Sequence, residues 1–175
     1  MTLKILTPEE QVFFGSQILE MLTASDKEFI PPLSTRSSTT QQTLSSGECA
    51  PDGVLQYYRQ LQTQKVMAAV EGDRLMAFVS YIENHTGGPI TEADTPNIYL
   101  STLVMRPEAR GKGLTKQLYR TLFDTYRPAA VFTRTWSTNA VHIRILDFFG
   151  FETIKILPDH RGPGIDTVYF KLTQS

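Results

Sequence analysis

The segment Arg106-Pro107-Glu108-Ala109-Arg110-Gly111-Lys112-Gly113-Leu114-Thr115 interleaves two glycines with basic residues immediately before an apolar-periodic stretch. A helix that starts there leaves its first amides without intrahelical acceptors and points the positive end of its dipole at the turn. Gly111 and Gly113 let a ligand come close to that backbone, and Arg110 and Lys112 add full charges. The chemistry such a turn serves is recognition of a phosphate or pyrophosphate. The same residues also suit a tight turn with solvated basic side chains, so the segment alone leaves both readings open. Spacing disfavours two other phosphate loops. The dinucleotide pattern needs a third glycine where Lys116 stands, and Gly-x-x-x-x-Gly-Lys-Ser/Thr does not occur in the chain.

The elements that must position this turn follow from periodicity. Ile98 to Met105 reads as the strand entering it, and Leu114, Leu118, Leu122 and Tyr126, with Tyr119 and Phe123 beside them, form the apolar stripe of the helix leaving it. Upstream, a short strand from Leu3 to Leu6 precedes Thr7, Pro8, Glu9 and Glu10, which open a first helix running to about Ser25. Asp52 is the expected cap of a second helix carrying Leu55, Tyr58, Arg59 and Leu61. Val66 to Val70 and Leu75 to Tyr81, joined by Glu71-Gly72-Asp73-Arg74, read as an antiparallel hairpin that continues into a three-strand meander with Ile98 to Met105. Then come a buried strand from Ala129 to Trp136, a helix capped by Ser137 or Thr138 and ended by Gly150, and strands from Phe151 to Leu157 and from Thr167 to Leu172. This order predicts an α/β (α+β) domain over residues 1–175, one mixed sheet covered on both faces. Between the first two helices, Ser34 to Ser46 holds nine Ser or Thr among thirteen residues, with Arg36 as its one charge. It is either a solvated loop or part of a binding wall, since long structureless loops in compact domains are uncommon unless functional.

The 175 residues carry 17 Lys and Arg against 18 Asp and Glu, so the chain as a whole has no field for nucleic acid or anionic lipid. Yet Arg106, Arg110, Lys112, Lys116 and Arg120 face only Glu108 between Val104 and Arg120, which concentrates positive charge at the candidate anion site. The longest apolar runs, Val66–Val70 and Leu75–Val79, are five residues, far short of the ~20 that span a bilayer. Glu9 and Glu10 arrive before any apolar leader forms, so the expectation is a cytoplasmic protein that does not span a membrane. Cys49 is the single cysteine, and His85, His142 and His160 share no ligand spacing, so no metal site is expected.

Val104 to Thr115 resembles the coenzyme A pyrophosphate motif of the GNAT superfamily of N-acetyltransferases, an Arg/Gln-x-x-Gly-x-Gly/Ala signature after the fourth strand. Arg110 and Gly113 match it, while Thr115 stands where Gly or Ala is usual and brings a hydroxyl that is able to donate to a phosphate oxygen. Asn139, followed by Phe149-Gly150-Phe151, is similar to the family's second motif, an Asn opening a helix that ends in Leu-Gly-Phe. The resemblance implies a mixed, mostly antiparallel central sheet of six to seven strands with helices on both faces. It implies acetyl-CoA as acyl donor. Backbone groups of Leu103 and Met105 would pair with the pantetheine arm as with an added strand, the amides of Arg110, Gly111, Lys112, Gly113, Leu114 and Thr115 would hold the pyrophosphate, and Asn139 would hydrogen-bond the arm. Family analogy also implies a possible homodimer.

Direct transfer needs a neutral amine. A lysine-like amine of pKa about 10.4 is ~3.4 units from that state at pH 7, about 4.6 kcal/mol, whereas reprotonating a thiolate of pKa about 8.5 is a matter of roughly 2 kcal/mol. A base therefore matters more than an acid. Many relatives place an acid tyrosine seven residues after the motif asparagine, where this chain has Leu146. His142, on the stripe of Asn139 and Leu146, is the candidate donor, with Tyr169 as another; Glu83, Glu92 and Asp94 are candidates for the base, Glu83 first. By the same resemblance, the Ser/Thr-rich stretch with Arg36 and the segment Pro158 to Ile165 with His160 and Arg161 would line the acceptor side, which suits a polar amine that also carries a carboxylate or phosphate. The expected activity is acetyl transfer to a primary amine of a small molecule or peptide; the alternative is a non-catalytic acyl-CoA binding or sensing domain.

Overall fold

A computed structural model describes residues 1–44 and 47–174, and its strands are β1 (Thr2–Ile5), β2 (Lys65–Glu71), β3 (Arg74–Glu83), β4 (Asn97–Met105), β5 (Ala130–Trp136), β6 (Glu152–Leu157) and β7 (Thr167–Thr173). They form one sheet in the order β1-β2-β3-β4-β5-β7-β6, antiparallel throughout except for the parallel pair β4 and β5. The mixed, mostly antiparallel sheet with helices on both faces is thus the observed architecture. Ser45 and Ser46, which end the Ser/Thr-rich stretch, lie outside the described residues.

The continuous apolar runs of β2 and β3 are buried because both faces of the sheet are covered. Met67, Ala69, Ile98, Leu100 and Val131 face α4 (Leu114–Tyr126) and α5 (Ala140–Phe149). Val66, Ala68, Phe78 and Val104 face α1 (Pro8–Phe13), α2 (Gly15–Ser25) and α3 (Leu55–Leu61). Among the described residues no helix is long and apolar enough to cross a membrane.

Three local expectations change. The first helix is two, interrupted at Phe14, and at Gly15, which opens the second, the Tyr58 hydroxyl sits so close that an added Cβ would lie 2.7 Å from it. Helix α3 starts from Val54 without a side-chain cap, and Asp52 contributes only its carbonyl, which accepts from the Leu55 amide at 3.3 Å. Helix α5 is capped by Asn139 itself rather than by Ser137 or Thr138. Gly150 ends that helix as expected, at a positive φ of 83°.

Two irregularities of β4 make room for a site. Ser80 opposes Thr102 and Tyr81 opposes Leu100, so Ser101 is an extra residue, a bulge that resets which side chains face which layer. Pairing between β4 and β5 runs only from Asn97 opposite Ala130 to Leu100 opposite Thr133. Beyond it β4 keeps β3 and β5 keeps β7, so the two parallel strands part and leave a wedge.

Candidate active site

The wedge opens into a cleft of about 560 Å³ walled by Leu100 to Met105 of β4, Thr133 to Trp136 of β5, the Arg110 to Gly113 turn with the first turn of α4, and Asn139, Val141, His142 and Ile145 at the start of α5. Leu103, Met105, Arg110, Gly111, Gly113, Leu114, Thr115, Asn139 and His142, separated by up to some forty positions in the sequence, are therefore gathered in one place. Lys112 belongs to the same turn with its side chain in solvent.

At the turn, Gly111 and Gly113 have φ of 73° and 71°, the left-handed region that glycine enters without strain, and a Cβ on either would meet nothing within 4 Å. Helix α4 starts from Gly113 with no side-chain cap. Among the described residues no protein acceptor meets the amides of Gly111, Lys112, Gly113, Leu114, Thr115 or Lys116. Six successive donors and the positive helix end thus face an open surface, which is the electrostatic form of an oxyanion site. Arg110 is held in place by Glu28, at 2.9 and 3.0 Å, and by the Met105 carbonyl at 3.2 and 3.3 Å. Arg106 likewise pairs with Glu20 at 3.0 and 3.4 Å, so the segment around α2 is tied to the turn. Glu28 had no signal in the sequence; it is an exposed acid whose partner lies 82 positions away.

Asn139 serves two protein partners. Its Oδ1 accepts from the His142 amide at 3.4 Å, capping α5, and its Nδ2 donates to Thr135 Oγ1 at 3.0 Å, which leaves one N–H on Nδ2 for a ligand. His142 Nε2 lies 2.8 Å from the Tyr119 hydroxyl. Burial depresses the imidazole to a pKa of about 4 and pushes the Tyr119 phenol up, so at neutral pH the imidazole is uncharged and the phenol protonated. Both side chains line the cleft.

Glu83 is a correction. It opposes Ile98, at the end of β4 remote from the wedge, and pairs with Lys65 at 2.9 Å, so it does not line the cleft. Its position on the far side of the bulge is a matter of strand register, which loop proximity in sequence does not convey. Asp94 is likewise engaged, with Lys171 at 2.8 Å. Leu146 is fully buried in the core beneath α4 and α5 rather than in the cleft wall. Among the described residues Glu28 is the one carboxylate lining the cleft, and it is already paired with Arg110. Arg36 is buried on the opposite side of the sheet from α4, with its guanidinium 5.7 Å from the Phe29 ring centre.

A bulged β4, a parallel neighbour that diverges from it, and an uncapped helix start after an Arg-x-x-Gly turn together define an acetyltransferase class of fold. The profile of the acetyltransferase (GNAT) family matches residues 34–151, more than half of the chain. The chain belongs to that family. Among solved structures it is similar to the yncA protein of Salmonella typhimurium, solved with acetyl-CoA, at 17% identity over 100% of this chain and 94% of that one, with a TM-score of 0.65. It is similar to the ribosomal-protein-alanine N-acetyltransferase of Brucella melitensis at 14% identity over 99% of both chains, with a TM-score of 0.67. The aminoglycoside 6′-N-acetyltransferase of Enterococcus faecium gives 14% identity over 99% of this chain and 97% of that one, with a TM-score of 0.66. A search of curated protein sequences returns no match.

Proposed function

We propose that the protein is a single-domain, acetyl-CoA-dependent N-acetyltransferase that passes the acetyl group directly to a primary amine of a small molecule or peptide. The observation that carries this reading is the run of unpartnered amides from Gly111 to Lys116 at the mouth of a cleft that continues between β4 and β5. Those amides and Arg110 suit the diphosphate of coenzyme A. The edge of β4 that has no strand partner beyond Leu100, at Leu103 and at Met105 whose carbonyl is shared with Arg110, suits with the spare N–H of Asn139 the amide groups of a pantetheine arm laid between the parted strands. The thioester would then lie toward the Ser101 bulge, where an amine entering from the α1–α3 face meets it.

Proton transfer is assigned sparingly. The Tyr119 and His142 pair holds a protonated phenol and a neutral imidazole in the cleft wall and suits a hydrogen bond to the departing thiolate, whose proton then comes from the ammonium released on attack or from water, since the raised phenol is a weaker acid than the thiol. No unpaired carboxylate among the described residues lines the cleft, so the amine loses its proton through water or to solvent before attack. That shortage, with Leu146 buried in the core, supports a second reading in which the domain binds acyl-CoA without turnover.

Thiol release from acetyl-CoA in the presence of an amine panel, run beside calorimetric titration with coenzyme A, tests both readings. Binding with amine-dependent thiol release is the expected result. Binding without release for any amine selects the sensing domain, and no binding overturns both.

A further inference from the structure

Three arginines from distant parts of the chain come close to the cleft: Arg134 lines it, and Arg36 and Arg161 hold the successive carbonyls of Pro31 and Ile30 behind two of its aromatic rings. Arg134 belongs to β5 and lines the cleft, Arg36 follows the short turn Leu33–Thr35, and Arg161 lies in the connection from β6 to β7. Arg36 and Arg161 are only 9% and 4% exposed. The Arg36 guanidinium lies 5.7 Å from the Phe29 ring centre and that of Arg161 5.8 Å from Trp136, and these two rings, both in the cleft wall, are themselves 5.7 Å apart.

No carboxylate among the described residues pairs with any of the three. Arg36 donates to the Pro31 carbonyl at 2.7 and 3.0 Å, and Arg161 to the Ile30 carbonyl at 2.7 Å and Thr167 Oγ1 at 2.9 Å. Arg134 donates to the Gln41 carbonyl at 2.6 Å and the Tyr169 hydroxyl at 3.2 Å. Every one of these acceptors is neutral. Asp26, the acid whose charge acts on Arg36, spends its carboxylate on the backbone and hydroxyl of Ser34. The surrounding phenols supply no charge either, since burial pushes both Tyr57 and Tyr99 up, Tyr99 to about 12. Burial, then the charges of Arg36 and Arg134, push Arg161 down to about 9, which still leaves it cationic at pH 7.

Nη1 of Arg36 and Nη2 of Arg161 have no acceptor among the described residues, yet no fully buried side-chain nitrogen or oxygen goes unpartnered. Among the described residues those two nitrogens thus keep donors for a further acceptor. Burying cations near one another without an anion is unfavourable for folding, and the planar donor fork of an arginine matches the geometry of a carboxylate or phosphate.

We propose that Arg36, Arg134 and Arg161 bind an oxyanion on the acceptor, so that the amine acetylated by this protein is a small one that also carries a carboxylate or phosphate. The inference rests on the transferase reading above. Its occupant is small because two of the guanidinium groups lie below the surface, within reach of a terminal group on a short chain.

The test uses the full chain loaded with coenzyme A or acetyl-CoA and a matched panel: amino acids, β-alanine and O-phosphoethanolamine against amino-acid amides, β-alaninamide and ethanolamine. At least one anionic amine is expected to exceed its uncharged counterpart by about 100-fold in kcat/KM, the scale of one charge-assisted bidentate contact. Carboxylate and phosphate members identify which oxyanion is preferred. Arg134→Met collapses that ratio toward one and Arg134→Lys restores part of it, while calorimetry with coenzyme A reports that both variants are folded. Should the variants not fold, propionate and inorganic phosphate serve on the unaltered protein, where one of them is expected to compete with the amine. Equal use of anionic and uncharged amines, or anionic amines that bind the coenzyme A-loaded protein no more tightly than their amides, overturns the oxyanion site and leaves acetyl transfer standing. Arg134-dependent binding of an anionic amine with no thiol release from any member overturns the transferase reading and leaves the oxyanion site standing.

Discussion

Along the α4 wall of the cleft, negative charge would meet backbone amides and an exposed arginine; along the β5 wall it would meet guanidinium groups withdrawn among aromatic rings. The difference is one of cost. Uncapped amides at a helix start are solvated when no ligand is present, so leaving them unpaired costs the fold little. Arg36 and Arg161 have lost most of their water, and carbonyl oxygens replace it only in part. The first wall would suit any diphosphate of the right shape. The second gives up stability for selectivity, because a buried donor fork left unpaired penalises an acceptor that lacks the matching anion.

The largest expected effect is on the α4 wall. Gly113→Val forces a β-branched residue into a positive φ, about 1–2 kcal/mol of strain, and turns amides away from the ligand at about 1.5–3 kcal/mol each, so coenzyme A affinity should fall by about a thousandfold. A calorimetric Kd within threefold of the unaltered protein would break the backbone account of that wall.

Next is a pH effect at the start of α5, where His142 meets Tyr119 of α4. His142 has a folded pKa of about 4 against 6.5 unfolded, so the unfolded chain binds the extra proton between those values. Its neutral form supports the fold fully above pH 6.5, and that support is lost as pH falls toward 4, up to about 3 kcal/mol. Urea unfolding at stepped pH should show this slope in the unaltered protein and a flatter profile in His142→Gln; identical slopes would remove the assignment.

A smaller effect sharpens the comparison. Glu28 competes with a ligand phosphate for Arg110 across an exposed pair, so Glu28→Gln should tighten coenzyme A binding by roughly threefold, an effect that added salt diminishes. Smallest of all, Glu83→Gln should change kcat/KM by less than about twofold, because its carboxylate faces Lys65 outside the cleft. A tenfold loss would return Glu83 to the mechanism.

The glycine turn before α4 was legible in the sequence since its elements are local: a strand, two glycines able to take positive φ, and a helix whose first amides are free wherever the chain then goes. Helix α4 and the β2–β3 hairpin were legible for the same reason, period and turn chemistry being short-range. That Glu83 lies outside the cleft was not legible, because a loop's neighbour in sequence says nothing about which end of a strand carries the wedge. Arg36 and Arg161 were flagged singly by position, but their burial behind the wall to which Arg134 belongs depends on β7 inserting between β5 and β6, an order that no periodicity records.

By itself the amino-acid sequence determined the alternation of elements, the uncapped start of α4 and the positive charge around it, because those follow from dihedral preference, side-chain period and charge along neighbouring residues. Only the tertiary structure decided that β4 and β5 part after Leu100, that Glu28 reaches Arg110, and that Arg36 and Arg161 are buried behind the wall to which Arg134 belongs. Those are consequences of strand order and packing between segments far apart in the chain, where burial and mutual charge act only once the chain has closed on itself.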